Sequence, residues 1–488
     1  MSLKLRAYQT LSLEGLRAGF AAGYKSQILY SPTGGGKTEM AIALLEATKK
    51  KGNKAAMILD RIILCDQTSL RLQKYAIDHG VLQSGHWRYR PYESIQVCSA
   101  QTIEKRGSFP GLSLLIVDEC HATRKQTIEF IRANPDIKVV GLSATPFTKG
   151  LGKVYENVVS TVTTEELVKS KVLAPLRVFI AKEINMEGAK KVAGEWSQAE
   201  STERGMKITG DIVAEWINKT QEIFGGPKKT IVFCSGVEHG ADLAKKFAAA
   251  GYNFISISYK DNEQFKKDVI DDFSKPDTEI HGLIATDILT KGFDVPDVMI
   301  GVSARPFSKS LSSHIQQMGR VMRGHEGKDY AVWLDHSGNY LRFQEDWETI
   351  YETGVQTLDD TKEKAKKEKT EKEKEAAKCP KCGAFWPAQS DTCLHCGHIR
   401  QRQNKVINVS GEMEELANGT SFGDKQDWWS MCIYKVKYSG WSSGRAAHTF
   451  KDKYGVWPRG WVDIPVAPSV DFEKAVKAAL IKYIKGKR

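Results

Sequence analysis

Eight residues, Ser31-Pro-Thr-Gly-Gly-Gly-Lys37-Thr38, constrain this chain more than any others. They lie between a short apolar run at 27–30 and a stretch of helical spacing at 38–51, in which Met40, Ala43, Leu44 and Ala47 share one face. A strand, a glycine-rich turn and a helix in that order make a cradle for phosphates. Thr33, Gly34, Gly35 and Gly36 let backbone N–H groups close around phosphate oxygens, and the helix N-terminus adds positive potential. In such a loop Lys37 reaches the β- and γ-phosphates of a nucleotide and Thr38 holds Mg²⁺. The strict pattern opens on Gly, whereas this loop opens on Ser31. A glycine turn that merely joins two elements is the competing reading.

The segments that follow repeat the alternation. Runs at 55–59, 95–98, 112–117 and 138–142 read as strands, several of them apolar on both faces, as in a parallel sheet covered by helices. A polar stretch at 186–210 breaks the rhythm, which restarts with strand candidates at 230–234, 252–256, 282–285, 298–302 and 330–334. Two α/β halves of similar size predict doubly wound parallel sheets with a cleft between them and ligands at the carboxyl ends of the strands. No internal repeat of solenoid period is present.

The apolar run at 114–117 ends in Asp118-Glu119-Cys-His121. At a strand end beside a phosphate loop, Asp118 suits Mg²⁺ and Glu119 suits activation of an attacking water. A solvated strand end is the bland alternative, and His121 could simply cap the strand.

Taken together, the glycine loop with Lys-Thr and the Asp-Glu-Cys-His tetrad resemble the superfamily 2 helicases and translocases. Further segments match that family's motifs in order along residues 1 to about 345. Leu5-Arg6-Ala-Tyr-Gln9 resembles the adenine-reading Q motif, so the resemblance gives Arg6 and Gln9 to the nucleotide. Leu59-Asp-Arg61 with Gln67 resembles motif Ia, and Ser99-Ala-Gln101-Thr102 the next strand-contacting motif. Gly141-Leu-Ser143-Ala-Thr145-Pro146 resembles the coupling motif III, to which His121 is added. Ile231-Val-Phe-Cys234-Ser235 is similar to motif IV, and Ala285-Thr286-Asp287 with Lys291-Gly292-Phe-Asp294-Val-Pro296 to motif V. Gln316-Gln-Met-Gly319-Arg320-Val-Met-Arg323 is similar to motif VI.

The resemblance implies two tandem RecA-like domains at 1–170 and 171–350. ATP and Mg²⁺ sit between them, with Gly292 and Asp294 touching the nucleotide. Gln316, Arg320 and Arg323 complete the site, because a guanidinium holds the charge developing on the γ-phosphate bidentately. Polynucleotide contacts fall to Arg61, Gln101, Thr102, Ser235 and Thr286. The finer likeness is to the RadD-like DNA repair ATPases, through Leu334-Asp335-His336-Ser337-Gly338-Asn339, the zinc-type cysteines and a Trp/Tyr-rich tail, with a phage-encoded relative as one form.

Composition narrows the partners. The chain has 488 residues, 41% hydrophobic and 27% charged, ordinary values that exclude wholesale disorder, collagen and a small disulfide scaffold. The net charge is +12 with 71 Lys+Arg against 59 Asp+Glu, which points to a phosphate-bearing partner. The stretch 361–378, nearly all Lys, Glu and Ala, reads as part of a charged helical linker at 351–378.

Nine cysteines include one crowded set, Cys379-Pro-Lys-Cys382 and Cys393-Leu-His-Cys396, whose spacing suits a structural Zn²⁺ site in a zinc-ribbon-like module at 379–400. His395 and His398 read as spectators. The tail, 401–488, reads as a small α+β domain with strand-like alternation at Cys432, Tyr434, Val436 and Tyr438 and a closing helix bearing Phe472, Val476, Leu480 and Tyr483. Trp386, Trp428, Trp429, Trp441, Trp457 and Trp461 either stack on unpaired bases or fill a small core, and the same choice stands for Gly85-His-Trp87-Arg88-Tyr-Arg90. No apolar run is long enough for a membrane span, and the N-terminus lacks a signal-peptide core. The expectation is a cytoplasmic protein of a bacterium or a phage-infected cell.

The leading reading is therefore an ATP-driven helicase or translocase on single-stranded, forked or branched DNA, serving repair, recombination or replication-fork processing. A single-strand-binding protein or a recombinase is the partner the resemblance implies. An RNA helicase, an ATP-gated module that clamps DNA or recruits a partner, and a restriction-system translocase compete. The last needs a nuclease, and no nuclease constellation is visible in these residues.

Overall fold

The computed structural model describes residues 3–83, 85–102, 111–181, 191–192, 195–196, 207–209, 211–286, 293–307, 309–359, 396, 407–409, 413–415, 422–454, 458, 463–469, 472–473 and 476. The chain divides into two compact units, residues 1–342 with 354–415, and residues 343–353 with 416–488.

The first unit holds two seven-stranded sheets. The N-terminal one is built from α1 (Ala7–Ala21), β1 (Ser26–Tyr30), α2 (Lys37–Lys50), β2 (Lys54–Leu59), α3 (Ile62–Lys74), β3 (Gly80–Leu82), β4 (Ile95–Ser99), β5 (Leu112–Val117), β6 (Lys138–Ser143) and β7 (Asn157–Val159). Its order is β3-β4-β2-β5-β6-β1-β7 and every pairing is parallel. Strand β2 is buried from Ala55 to Leu59 and β5 from Leu114 to Val117, which is why these stretches are continuous apolar runs rather than alternations. Parallel alignment puts all carboxyl ends on one rim, so the residues after β1, β2, β4, β5 and β6 gather there although they are far apart in sequence.

The second sheet runs through β8 (Leu176–Ala181), β9 (Thr230–Cys234), β10 (Phe254–Ile257), β11 (Gly282–Ala285), β12 (Ile300–Ala304), β13 (Ala331–Asp335) and β14 (Met413–Glu415), with helix α4 (Leu311–Val321) between β12 and β13. The order is β10-β11-β9-β12-β13-β8-β14, parallel except for β14, which lies antiparallel on β8. Two parallel α/β domains in tandem are thus the architecture. Strand β14 comes from the stretch read as the opening of the tail domain, and Arg177 on β8 donates to both carboxylate oxygens of Glu415 at 2.8 Å.

After β13 the segment Asp335-His-Ser-Gly-Asn339 folds into a buried polar knot. Asp335 accepts from the backbone of Ser337 and Tyr340, and Asn339 bonds Arg305 O and Phe307 N, which holds the approach to α4.

Two local expectations are corrected. Helix α2 fully buries Met40, Ala41, Ile42 and Leu45, with Ala43 and Leu44 only partly covered, because it packs under the sheet and against α1 and so has more than one covered face. In the second unit Cys432, Tyr434, Val436 and Tyr438 are helical, not extended: they lie in α5 (Phe422–Tyr438), followed by α6 (Ser443–Tyr454). Alternation over four positions fits either period. The longer set Trp429, Cys432, Ile433 and Val436 has helical spacing and faces Ala446, Phe450 and Phe472. Trp428 and Trp441 pack on the same core, so these tail tryptophans fill an interior.

The linker 361–378, Cys379, Cys382, Cys393, Trp386, Trp457, Trp461, Leu480 and Tyr483 lie outside the described residues. Cys396 is half-buried.

The second sheet buries two neutral imidazoles. Burial pushes His239 down to about 4, against a small opposing pull from Asp242, and His314 on α4 down to about 3. Above the ordinary histidine value neither folded nor unfolded chain is charged. As pH falls below it, the unfolded chain binds protons that the folded chain does not, and stability drops. Urea unfolding at about pH 5 should show a loss of about 1–2 kcal/mol per histidine relative to about pH 7.5, and His314→Gln should flatten part of that slope.

Candidate active site

The phosphate loop leaves β1 with Gly34 and Gly36 at φ of 88° and 80°, a left-handed backbone that favours glycine. A Cβ at Gly36 would overlap the amide of Gln9 and one at Gly35 the hydroxyl of Ser31, so the loop and its surroundings are in close approach. From the N-terminus of α1, Gln9 Nε2 donates to Gly35 O at 3.4 Å and Tyr8 Oη to the same oxygen at 3.1 Å. The side chain of Gln9 also accepts from Arg6 N at 2.8 Å. Helix α1 thereby holds the loop from outside.

Lys37 is half-buried, with Nζ donating to Ser31 O at 3.4 Å. Burial pushes its ammonium downward in pKa, with Glu119 and Asp118 opposing. Asp118 stands at the end of β5, its N–H bonded to Ile58 O at 3.0 Å. Glu119 follows with φ 46° and ψ 50°, a left-handed conformation that costs a non-glycine residue about 1–3 kcal/mol and turns its carboxylate off the strand axis.

That carboxylate begins a chain across the two lobes. Glu119 Oε2 lies 3.3 Å from His121 Nδ1, which bonds Ser143 Oγ at 3.0 Å. Ser143 Oγ accepts from Thr145 N at 3.0 Å. From α4 of the second lobe, Gln316 Nε2 donates to Thr145 Oγ1 at 3.4 Å and faces His121 Nε2 at 3.5 Å. Accepting there leaves the His121 proton on Nδ1. His121 therefore sits inside the network rather than at a strand cap.

The same helix delivers the arginines. Arg320 donates to Phe293 O at 2.8 Å, and burial, reinforced by Arg323, pushes it down to about 9. Arg323 bonds Asp294, which also accepts from Arg71 at 3.1 Å; Arg71 in turn bonds Glu39 at 2.6 Å. Gly319 must be glycine, since a Cβ would overlap the Thr33 side chain of the opposite lobe. Arg6, Gln9, Thr33, Gly34, Gly36, Lys37, Thr38, Asp118, Glu119, Asp294, Arg320 and Arg323 all line one cleft of about 510 Å³.

Other expected residues lie elsewhere. Arg61 caps the N-terminus of α3, and Gln101 and Thr102 follow β4, where Ser99 Oγ bonds Thr102. Ser235 and Thr286 are buried; Ser235 Oγ donates to Ala304 O at 3.0 Å and Thr286 Oγ1 meets Cys234 Sγ at 3.1 Å. Gly292 lies outside the described residues.

Three residues escaped the sequence reading. Arg71 is one helical turn beyond Gln67 on α3, and that spacing was the available signal. Tyr8 stood between two singled-out residues. Lys328 had no signal: its Nζ is buried and donates to Pro296 O at 3.1 Å, Val298 O at 2.5 Å and Val321 O at 2.6 Å. It joins the loop bearing Asp294 to the end of the helix bearing Arg320.

The family model described as type III restriction enzyme, res subunit, matches residues 2–148, and that described as helicase conserved C-terminal domain matches 217–325. The chain belongs to the superfamily 2 helicases. As such it is of the ATP-hydrolysing helicase class.

A 51.5 kDa protein of a Lactococcus phage is 26% identical over 79% of this chain and 81% of its own length. The ATP-dependent helicase named IRC3 of Saccharomyces cerevisiae is 27% identical over 68% of this chain, and the chain spans about half of it, 51%. The protein named DNA 3'-5' translocase XPB2 of Sulfurisphaera tokodaii is 23% identical over 66% of this chain and 79% of its own length. Among solved structures, a fragment assigned to the HsdR subunit of a type I restriction enzyme from Vibrio vulnificus shares the fold, with a TM-score of 0.56 at 18% identity over 72% of this chain and 67% of its own.

A superfamily 2 helicase takes up Mg²⁺-ATP, and these residues fit that group. Three cations, Arg320 buried and Lys37 and Arg323 half-buried, face a glycine cradle, desolvation disfavours the charge of each, and two carboxylates stand beside it.

Lys328→Met should leave three buried carbonyls without their ammonium partner. Unfolding by urea should show a loss of about 2–4 kcal/mol. ATP turnover should fall more than nucleotide affinity, because the displaced groups are the arginine helix and the Asp294 loop.

Proposed function

We propose that this helicase is an ATP-driven translocase on DNA acting in repair, recombination or replication-fork processing. The observation that carries the reading is the chain from Glu119 through His121, Ser143 and Thr145 to Gln316, which ties the carboxylate beside the phosphate loop to the opposite lobe. A change at the γ-phosphate then becomes a change in lobe position, which is how hydrolysis becomes movement.

In this reading Lys37 and the glycine loop bind the phosphates. Thr38 and Asp118 would hold Mg²⁺, which when bound neutralises developing charge on the phosphates. Glu119 orients and polarises the attacking water. Arg320 and Arg323 meet the γ-phosphate from across the cleft, a contribution worth about 10³–10⁵ in turnover for an arginine finger. Arg6 and Gln9 read the adenine, and Asp294 meets the sugar side of the nucleotide.

A polynucleotide strand crosses the rim at Arg61, Gln101 and Thr102 and reaches the second lobe by the backbone around Ser235 and Thr286. DNA is favoured by the net charge of +12 and by the name of the XPB2 relative. The restriction-subunit family model supports a second reading, a translocating subunit that works with a separate nuclease. A single-strand-binding protein or a recombinase as partner, and a bacterial or phage-infected cytoplasm, belong to the proposal. Among the described residues no helix is long and apolar enough to cross a membrane.

ATPase rates with no polynucleotide, single-stranded, duplex and forked DNA, and RNA test it. Strong stimulation by DNA is expected, and Lys37→Ala and Glu119→Gln should each abolish turnover. Stimulation by RNA alone would turn the assignment to an RNA helicase. A Lys37-dependent rate blind to every polynucleotide would leave an ATP-gated recruitment module.

Zn²⁺ at Cys379, Cys382, Cys393 and Cys396 is part of the same proposal, supported by the donor set: four thiolates in two C-x-x-C turns suit a closed tetrahedral site. Metal analysis of the purified chain should return one zinc per molecule, and Cys379→Ser with Cys382→Ser should lose it. A metal-free wild-type protein retaining full activity would remove zinc from the account.

A further inference from the structure

The loop between β3 and β4 takes no part in the cleft. Of the fourteen large apolar side chains exposed among the described residues, six fall between Ile62 and Tyr92, on α3 and this loop. Trp87 is 72% exposed, Tyr89 48% and Tyr92 77%, and they interleave with cations as Trp87-Arg88-Tyr89-Arg90. Filling a core is excluded for Trp87 by its exposure.

The exposed ring is nevertheless held. The guanidinium of Arg88 lies 4.7 Å from the Trp87 ring centroid, and His86 stacks on Trp87 at 5.7 Å with 23° between the planes. Both flanking residues are fastened to α3: His86 Nε2 lies 3.2 Å from Asp66 Oδ1, and Arg88 donates to Gln73 Oε1 at 3.0 Å. The carbonyl of Arg88 accepts from Val81 N at 2.9 Å, which pins the loop to the edge strand. Asp66 and Gln73 are seven residues apart and share one face of α3; Gln67 and Arg71 on another face line the nucleotide cleft.

An ordered display of π faces beside guanidinium groups suits flat, electron-rich rings on a polyanionic chain. Bases stack on aromatic side chains whatever their sequence, and the exposed Arg90 meets the phosphates between them, Arg88 being buried against Trp87 and Gln73. A purely apolar protein surface would gain nothing from the interleaved cations. We propose that the loop from Trp87 to Tyr92 is a base-stacking platform for an unpaired polynucleotide strand. This rests on the polynucleotide reading above and adds to it a site outside the family motifs.

The test is equilibrium binding by fluorescence anisotropy, using labelled oligothymidylate, oligouridylate and an abasic oligonucleotide of equal length. Trp87→Ala should bind oligothymidylate or oligouridylate about tenfold more weakly than wild type, and Trp87→Phe should recover most of the loss. On the abasic strand, which keeps phosphates and lacks rings, wild type and Trp87→Ala should bind alike. ATP turnover without polynucleotide should be unchanged in both variants.

A loss confined to one of the two sugar types supports the platform and assigns its strand. Equal affinity of wild type and Trp87→Ala for both base-bearing strands overturns the platform and leaves the proposed function standing. An equal loss on abasic and base-bearing strands overturns stacking. A wild-type protein that binds no polynucleotide overturns platform and proposed function together.

Discussion

A half-buried, desolvated ammonium beneath a glycine loop sets the terms for the rest of the first unit. Lys37 loses hydration at the foot of the cradle, and two more cations, Arg320 and Arg323, are brought against it from the other lobe. Desolvation and mutual repulsion both oppose this gathering. Asp118 and Glu119 offset part of the opposition, and a bound polyphosphate offsets more. The cleft is thus built around a charge deficit, and its geometry follows: glycines where backbone must come close, glycine again at position 319 where the lobes touch, and carboxylates spaced so that both see the same cations.

The link from this electrostatic centre to the other lobe runs through strained and short-range parts. Glu119 holds a backbone conformation unusual for its type, which aims its carboxylate at His121 rather than along the strand. The hydroxyls of Ser143 and Thr145 are fully buried, so their hydrogen bonds have little choice of partner. Gln316 closes the circuit from α4. The middle members, His121, Ser143 and Thr145, are short or ring-shaped and leave little slack between the two ends.

Much of this was legible in the sequence because the decisive motifs are local and fall on the rim that parallel strands create. Loop, carboxylate pair and arginine helix could each be read within about ten residues. What was not legible depended on distance or on a second covered face. Arg71 meets Asp294 across 223 positions. Lys328 acts on carbonyls from three turns of chain, which no pattern of side-chain types announces. The face of α2 was misjudged because the helix is covered on more than one side. The strand expected around Tyr434 became a helix because four alternating positions carry less information than the tryptophan-rich period around them. Among aromatics, composition alone could not separate Trp429, which belongs to a core, from Trp87, which stands in water.

The path of the chain between the lobes has a mechanical corollary. The segment that leaves the first lobe is fastened there, with Gly152 N–H donating to the carbonyl of Asp359 at 2.9 Å. The chain next pairs at Ile407–Val409, parallel to Lys207–Thr209, and then at Met413–Glu415 on the far lobe, antiparallel to β8. The chain is therefore moored to a lobe on either side of the lysine–glutamate run and the four clustered cysteines. Any widening of the cleft lengthens the span between those two moorings, and any narrowing shortens it. A cut in that stretch would leave the chain on either side of it fastened to a lobe.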